Sequence, residues 1–442
     1  MGKSSYISFN ESGDAPTNND SEFIEASELL AREKNKPHKT SKPHPHHEDA
    51  DSTTVFVQSD LKRKTAGNKK PGKNGNKKSR IIFGTAAALI GALIGVIIFG
   101  VWYKEYLLNK ITYETSDENA VITIVDENGE TVELDKLRED TDNDLIGDNA
   151  IKNFLLVGID SRSKDYSKSG KGDRSDCMVI MSIDTKNKTI KLLSIARDSY
   201  AYIPGYSKPN RINAAMSFGG APLLQATVEN NLRLKIDGYA YVNFSHMAEI
   251  IDAVGGVYVD VSAAEMKVAN QYIREMDKNA AQIENTGKNT WLSGIQAVGY
   301  ARNRYTGNGD YERMERQIEV LRSVFTQYTK LSASKKVAAM DDVLSAIITN
   351  IPKKDIEKYV FDFLPTLKEA KMEYMQLPIS GCYNYGTYSG VWSMRVNWNA
   401  MIPYVQKYFY GKTVDFDEVR LPDRAPELSE CKTDIPLEKL VH

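Results

Sequence analysis

The sequence predicts an α/β fold in which helices flank a mixed central β-sheet, preceded by a single transmembrane helix and a disordered tail. Three observations predict it. Residues 1–80 are polar and lack apolar periodicity, so they cannot bury a core. Residues 81–103 are apolar and uncharged over a length that crosses a hydrocarbon layer of ~30 Å as a helix. After about residue 150, short apolar runs typical of strands alternate with amphipathic segments typical of helices.

The flanks of the apolar segment predict its orientation. Residues 61–80 are rich in Lys and Arg and contain no Asp or Glu, whereas Trp102 and Tyr103 at the other end are typical interfacial aromatics. The positive-inside rule then places 1–80 in the cytoplasm and 104–442 outside. We therefore expect a single-pass type II protein of the cell membrane, held by an uncleaved signal-anchor. Gly91 and Gly95 form a GxxxG pair that would suit a homodimer through this helix.

The outer part divides into three segments. Residues 104–149 are acidic, with one short alternating run, and are predicted to be an extracellular stalk. Residues 150–330 are predicted to be the folded catalytic domain. Residues 331–442 are predicted to be a helical extension followed by a polar tail. Cys382 and Cys431 could pair in an oxidising exterior, whereas Cys177 lies in an apolar run and is expected to behave as a small hydrophobic residue.

Within the folded domain, periodicity places the elements in order. Residues 153–160 are predicted to be a core strand, and 177–184 with 189–197 a β-hairpin. Helical spacing predicts helices at 221–232, at 245–256 with Ser245 as N-cap, and at 312–330. The predicted strands that remain are 239–244 and 257–261.

Histidine is nearly absent from the outer part, which narrows the possible chemistry. His246 is the only histidine between residues 104 and 441, and it lies on the apolar side of a predicted helix. A Ser–His–Asp triad and a multi-histidine metal site are therefore disfavoured. Acid, base and metal-binding roles fall to carboxylates, and charge stabilisation falls to arginine.

Carboxylates and arginines follow or precede the predicted strands. Asp160 ends one strand and Asp176 precedes the next, so neighbouring strands would bring two hard oxygen ligands together. Such a pair suits Mg²⁺, with Mn²⁺ as the alternative, when phosphate oxygens complete the shell. Arg302 and Arg304 would share one face of an extended segment and bind phosphate bidentately. The other residues of this group are Arg162, Arg174, Arg197, Asp198, Asp310, Arg313 and Gln317.

Taken alone, each such pair is better explained by a solvated salt bridge. Together, in a domain almost without histidine, they predict one site for phosphate and a divalent metal. Residues 212–232 and 239–256 add an excess of apolar side chains, which a plain core or a lipid-binding cleft would explain.

At this point the sequence resembles the LytR–CpsA–Psr proteins of cell-envelope assembly. The resemblance covers about 150–330 and, more loosely, the chain up to 410. The strings that carry it are NFLLVGIDSR, RSDCMVIMSID, LLSIARDSYAYIPGY, RINAAMSFGGAPLL, IDGYAYVNFSHMAEIIDAVGGVYVDV and YARNRYTGNGDYERMERQIEVL.

The resemblance implies a phosphotransferase that moves an anionic glycopolymer, of teichoic acid or capsule type, from a polyprenyl-pyrophosphate carrier to peptidoglycan. Asp160 and Asp176 would bind Mg²⁺, and the apolar middle would line a tunnel for the lipid tail. Arg302, Arg304 and either Asp198 or Asp310 would act in catalysis, the choice of proton acceptor remaining open. The residues expected to bind substrate are Arg162, Arg174, Arg197, Arg211, Arg313 and Gln317.

Two other functions remain compatible with these residues. A membrane-bound polyprenyl-pyrophosphate hydrolase would use the same site with water as nucleophile, and a non-catalytic wall-associated regulator would use none of it. Nucleic acid is not an expected partner, because the folded part lies outside. The basic run at 61–80 is better explained by orientation and by attraction to anionic membrane lipid.

Overall fold

A computed structural model describes residues 98–114, 121–138, 145–161, 172–307, 309–363, 370–419 and 435–442. The predicted tail, 1–80, and most of the predicted transmembrane segment lie outside these ranges, as do Gly91 and Gly95. Residues 98–108 are helical. No helix among the described residues combines the length and apolar character needed to cross a membrane.

The strands in chain order are β1 Thr112–Tyr113, β2 Thr123–Val125, β3 Thr131–Glu133, β4 Ile151–Ile159, β5 Ser175–Asp184, β6 Thr189–Ile195, β7 Ser199–Ala201, β8 Asn210–Arg211, β9 Gly238–Asn243, β10 Val257–Val261, β11 Gly287–Leu292, β12 Ile348–Thr349, β13 Lys371–Leu377, β14 Tyr383–Tyr388 and β15 Val391–Val396.

The helices are α1 Leu134–Arg138, α2 Ala214–Leu232, α3 Phe244–Ala253, α4 Ala263–Met276, α5 Gly294–Ala301, α6 Asp310–Lys330, α7 Ala333–Ala346, α8 Lys353–Glu357 and α9 Trp398–Tyr410. A π-helical segment, Lys358–Phe363, continues α8, and a 3₁₀ turn covers Leu437–Lys439.

The central sheet has seven strands in the order β1-β12-β9-β4-β5-β6-β13. Its middle is the antiparallel run β4-β5-β6, whereas β9 is parallel to β4 and β13 is parallel to β6. Helices pack on the sheet, so the predicted mixed α/β fold is confirmed. The predicted hairpin is β5–β6, and the predicted long helix is α6.

Described residues of the predicted stalk, 104–149, pack on the folded domain. Leu108 is buried in a cluster with Leu344 of α7. Ile124 of β2 and Leu134 of α1 belong to the main hydrophobic core, and β1 pairs with β12. The predicted start of the folded domain at residue 150 was therefore too late. The segment before it is mostly polar and acidic, but its few apolar residues are part of the core.

The boundary at residue 330 was wrong for a similar reason. Strand β13 lies beside β6 in the central sheet, and β15 pairs with β7, which follows β6. The segment 331–442 therefore supplies strands to the domain and is not a helical extension. At its end, the backbone N–H and C=O of His442 both bond to Tyr374 of β13.

The apolar middle of the sequence forms core. Helix α2 is buried on nearly all sides and contributes Leu223, Leu224 and Val228 to the main hydrophobic cluster. Helix α3 begins after Asn243, whose side chain accepts from the backbone N–H of His246, so the predicted N-cap Ser245 was two residues too late. The lipid tunnel remains a prediction.

Cys382 and Cys177 differ in oxidation state. Cys382 is buried and disulfide-bonded, while its predicted partner Cys431 lies outside the described residues. Cys177 is free, and burial raises the pKa of its thiol to about 12, which fits the expected hydrophobic role.

Candidate active site

The charged residues collect at one edge of the central sheet. Because β4, β5 and β6 are successive antiparallel neighbours, the end of β4, the start of β5 and the end of β6 lie side by side. Asp160 follows β4, Asp176 is the second residue of β5, and Arg197 and Asp198 follow β6. The sequence-based expectation that carboxylates and arginines meet at one sheet edge is met in this arrangement.

A β-bulge presents Asp176 at this edge. Gly158 pairs with Cys177 and Ile159 pairs with Ser175, so Asp176 has no partner residue on β4. A bulge bends the strand and redirects a side chain, and such features are common beside active sites. Asp160 stays close by, because its N–H bonds to the carbonyl of Arg174 at 3.2 Å.

Arg197 is the centre of the charged cluster. Its Nη1 lies 2.5 Å from Oδ1 of Asp176, and its Nε lies 3.8 Å from Asp198 and 4.0 Å from Asp310. Asp198 in turn lies 3.4 Å from Nη1 of Arg211 on β8. One guanidinium therefore joins acids from β5, from the turn after β6 and from α6.

Helix α6 supplies the rest of the cluster from its first two turns. Arg313, whose side chain is only 4% exposed, holds Asp310 with Nη2 at 2.8 and 2.9 Å from the two carboxylate oxygens. One turn later, Nε2 of Gln317 donates to the carbonyl of Asp176 at 3.3 Å. Met314 and Ile318, on the same helix, are buried in separate hydrophobic clusters, so packing fixes the position of these polar groups.

Burial and the neighbouring charges shift the pKa values of Asp310, Arg313 and Arg197 in opposite directions. Burial raises the pKa of Asp310, against the lowering effect of Arg313 and Arg197. Burial lowers the pKa of Arg313, although Asp310 opposes it. For Arg197, Asp176 and Asp198 outweigh the effect of burial, and its pKa is raised. The cluster thus contains a carboxyl group that holds its proton more tightly than an ordinary aspartate.

Two donors in the cluster are left without acceptors. Among the described residues, the buried Nε atoms of Arg197 and Arg313 have no hydrogen-bond partner. Buried donors are nearly always satisfied in native structures, and an unpaired one costs about 1–3 kcal/mol. An anionic ligand with several oxygens at this edge would satisfy them.

Arg302 does not lie on a strand, which corrects one prediction. It is the C-cap of α5, and its guanidinium stacks between Phe244 and Tyr272, with Cζ at 4.4 and 4.9 Å from the ring centroids. Its Nη2 is 4.0 Å from Oδ1 of Asp160. The guanidinium thus contacts both rings, and the sequence pattern predicted neither contact.

The loop after Arg302 is held by a buried arginine. Arg316 donates to the carbonyl of Asn303 and to Thr306, at 2.8 and 2.6 Å. Arg304 is in irregular structure, where its Nη2 donates to the hydroxyl of Tyr305 at 3.2 Å. The shared face predicted for Arg302 and Arg304 is therefore wrong, because the segment is not extended. Arg316 is a positioning residue to which the sequence pattern assigned no role.

The remaining predicted residues are placed less directly. The Arg174 side chain is exposed beside Asp160, and Arg162 lies outside the described residues. The contacts therefore bring together seven predicted residues, which are Asp176, Arg197, Asp198, Arg211, Asp310, Arg313 and Gln317. Asp160 and Arg302 form a second pair at the same edge.

The donor set fits a divalent cation shared with a phosphate ligand. The side chain of Asp160 is 41% exposed, and Asp176 faces the same edge. Among the described residues there is no group of three or more acidic, histidine or cysteine side chains arranged to hold a metal by itself. Mg²⁺ commonly uses one or two carboxylates and completes its shell with water and substrate phosphate.

Comparisons with known proteins give a family. The model of the LytR_cpsA_psr family matches residues 112–400. A polyisoprenyl-teichoic acid–peptidoglycan teichoic acid transferase TagU of Enterococcus faecalis is 29% identical over 307 residues, covering 68% of this chain and 88% of its own. A TagU of Bacillus anthracis is 32% identical over 268 residues, covering 58% and 78%.

Solved structures also resemble the chain. TagT bound to LI-WTA is 26% identical, covering 62% of this chain and 97% of its own, with a TM-score of 0.48. TagT with bound octaprenyl pyrophosphate lipid is 25% identical, with the same coverage and a TM-score of 0.45. Since the family model spans well over half of the sequence, including every described residue of the charged cluster, this chain belongs to the LytR–CpsA–Psr family.

Proposed function

We propose that this protein transfers an anionic glycopolymer of the teichoic acid type from a polyprenyl-pyrophosphate carrier to peptidoglycan, at the outer face of the membrane. The observation that carries the proposal is that the buried Nε atoms of Arg197 and Arg313 have no hydrogen-bond partner although they lie beside three carboxylates. A pyrophosphate brings the anionic oxygens that such donors require. The TagU relatives are named for this transfer.

The proposed reaction is a single displacement at phosphorus. A hydroxyl oxygen of the acceptor glycan forms a bond to the sugar-proximal phosphorus, and the bond from that phosphorus to the bridging oxygen breaks. Polyprenyl phosphate leaves with the bridging oxygen. Arg197, Arg302 and Arg313 neutralise the charge that builds on the phosphoryl oxygens, so positioning and electrostatics supply most of the rate.

We assign the hydroxyl proton to Asp310. Both oxygens of Asp310 lie against Arg313, and its side chain is 10% exposed, compared with 24% for Asp198. Burial raises its pKa, which makes the carboxylate a stronger base than an ordinary aspartate. Asp198, between Arg197 and Arg211, would hold those two arginines in position.

Asp160 and Asp176 are proposed to hold Mg²⁺ when the pyrophosphate is bound. The ion would supply positive charge to the phosphate oxygens, which the two carboxylates would otherwise repel. Its site would lie between the end of β4 and the bulge of β5.

Substitution of Arg302 tests the stacked arginine. Arg302→Lys keeps the charge but loses the planar fork between Phe244 and Tyr272, so we expect kcat/KM to fall by about tenfold or more. Arg322→Lys is the matched control, because Arg322 also stacks on a tyrosine, Tyr374, but lies on a later turn of α6. If the two variants are equally active, Arg302 has only a structural role.

The pH dependence of kcat tests the proton acceptor. Asp310 must be ionised to accept a proton, so activity should fall as pH drops through its pKa. Because that pKa is raised above 3.8, the acidic limb should lie at a higher pH than for an ordinary aspartate. Asp310→Asn should lower kcat by about 10²–10⁴-fold and abolish the limb, whereas Asp198→Asn should retain it. The opposite pattern would assign the base to Asp198.

Removal of divalent metal tests the two ligands. EDTA should abolish activity and Mg²⁺ should restore it. Asp160→Ala should raise the Mg²⁺ concentration needed for half-maximal activity by about tenfold or more, since one anionic ligand is lost. Asp342→Ala, at an exposed acid of α7, should leave that concentration unchanged. Full activity in EDTA would exclude the metal.

The rival functions differ in the nucleophile. A hydrolase would consume the lipid-linked donor equally fast without a glycan acceptor, and a regulator would consume none. We expect the full chain, in right-side-out membrane vesicles, to join externally added peptidoglycan oligosaccharide to the donor glycan through a phosphodiester detectable by mass. Donor consumption should rise with acceptor concentration.

Two results would count against the proposal in different ways. Donor loss independent of acceptor, with no phosphodiester product, would favour the hydrolase. Product that forms only when the acceptor is sealed inside the vesicles would reverse the proposed orientation but keep the chemistry.

A further inference from the structure

The hairpin β14–β15 carries two exposed aromatic side chains that the transfer reaction as proposed does not use. Tyr385 is 49% exposed and Trp392 is 62% exposed. Their ring centroids are 6.3 Å apart and their planes differ by only 8°. The two exposed rings are therefore nearly parallel neighbours, and this pair is here called the aromatic shelf.

Strand register explains why the rings share one side. Tyr385 pairs with Met394 and Thr387 pairs with Trp392, so Tyr385 and Trp392 are diagonal neighbours on the same face of the hairpin. Behind Tyr385, Tyr383 packs edge-on at 5.6 Å and then stacks on Tyr311. Tyr311 is fixed by a hydrogen bond to the carbonyl of Pro378, so the shelf rests on an ordered row of rings.

The shelf adjoins the charged cluster. Strand β15 pairs with β7, and the backbone N–H of Met394, two residues after Trp392, donates to the carbonyl of Asp198 at 2.8 Å. Tyr311 follows Asp310 directly in the chain. Burial and the neighbouring Tyr383, with smaller contributions from the charges of Asp310 and Asp198, raise the pKa of Tyr385 to about 12. The strand that carries Trp392 thus contacts the backbone of the charged cluster at Asp198.

We infer that the aromatic shelf binds a hexopyranose ring of a glycan substrate by stacking, next to the phosphorus that reacts. This inference rests on the proposed function. A pyranose presents a flat face of C–H groups that covers aromatic carbon, while its hydroxyls remain in water at the rim. Exposed parallel aromatics otherwise carry an apolar surface without a partner.

The chemistry of the shelf favours a sugar over a lipid chain. On the shelf side of the hairpin the cross-strand neighbour of Trp392 is the polar Thr387, whereas the Asn384–Arg395 pair lies on the opposite face. A lipid tail requires a continuous aliphatic surface, whereas two parallel rings match one or two sugar units. Stacking on aromatic rings is known to contribute measurably to the binding of flat ligands. Either the donor glycan or the acceptor glycan could supply the ring.

Separate KM values for the two substrates distinguish these sources. The full chain in detergent micelles is assayed with a polyprenyl-pyrophosphate-linked glycan as donor and a peptidoglycan tetrasaccharide as acceptor. Trp392→Ala should raise one of the two KM values by about tenfold, and Trp392→Phe should recover most of that loss. An increase in the acceptor KM assigns the shelf to peptidoglycan, and an increase in the donor KM assigns it to the carrier-linked glycan.

Two controls separate sugar binding from general damage. Trp291, which is 50% exposed on β11, is the matched tryptophan, and Trp291→Ala should change neither KM. Octaprenyl pyrophosphate has no sugar, so its affinity should be the same in Trp392→Ala and in the unchanged protein. The inference is overturned if neither KM changes by more than about twofold, or if octaprenyl pyrophosphate binding weakens by the same factor as the KM.

A direct titration separates this inference from the proposed function. Tryptophan fluorescence is followed as each glycan substrate is added, with Trp392→Phe and Trp291→Phe in parallel. A response lost only in Trp392→Phe supports the shelf even if the protein transfers nothing, in which case the proposed function fails alone. A response that persists in Trp392→Phe, or no response in the unchanged protein, overturns the shelf.

Discussion

The ion pair between Arg197 and Asp176 is the interaction on which the candidate site depends. It joins the start of β5 to the turn after β6, and through Asp310 it reaches the first turn of α6. Arginines that are partly or fully buried need carboxylates nearby, because an unpaired buried charge is strongly destabilising. The same carboxylates keep the guanidinium groups in fixed positions before any ligand arrives. A site built in this way needs little reorganisation of its side chains when a pyrophosphate binds.

The pairing also explains the balance of charge at the sheet edge. Acids alone would repel a phosphate ligand, and arginines alone would repel one another in the apo protein. Arg313 shows the compromise, since it is almost fully buried yet retains one donor without a partner. The molecule therefore tolerates a local deficit of hydrogen bonds that a phosphate ligand would remove. In physical terms, stability is given up where ligand binding can recover it.

Local patterns predicted the fold where structure depends on nearby residues. The alternation and apolar runs of β4, β5 and β6, and the helical spacing of α6, were visible in the sequence because each is a continuous periodic segment. Strands β1 and β12 have two residues each and carry no detectable period. Strand β13 joins β6 from far along the chain, which no local pattern reveals. The composition of 104–149 was misleading because a few buried residues, such as Leu134, determine its packing.

Residue types at the site were predictable, whereas their geometry was not. Counting histidines and locating acids and arginines near strand ends identified Asp176, Arg197 and Asp310. The stacking of Arg302 on Phe244 and Tyr272 depends on tertiary contacts between α3, α4 and the end of α5. The bulge at Asp176 has a further consequence for how such a chain can vary. Because a strand alternates its side chains, deleting Ser175 would let Asp176 pair with Ile159 in regular register and would remove the bulge that presents Asp176 at the edge. The site is thus encoded partly by the number of residues in β5, and a chain with an intact set of charged residues but one residue fewer would lose it.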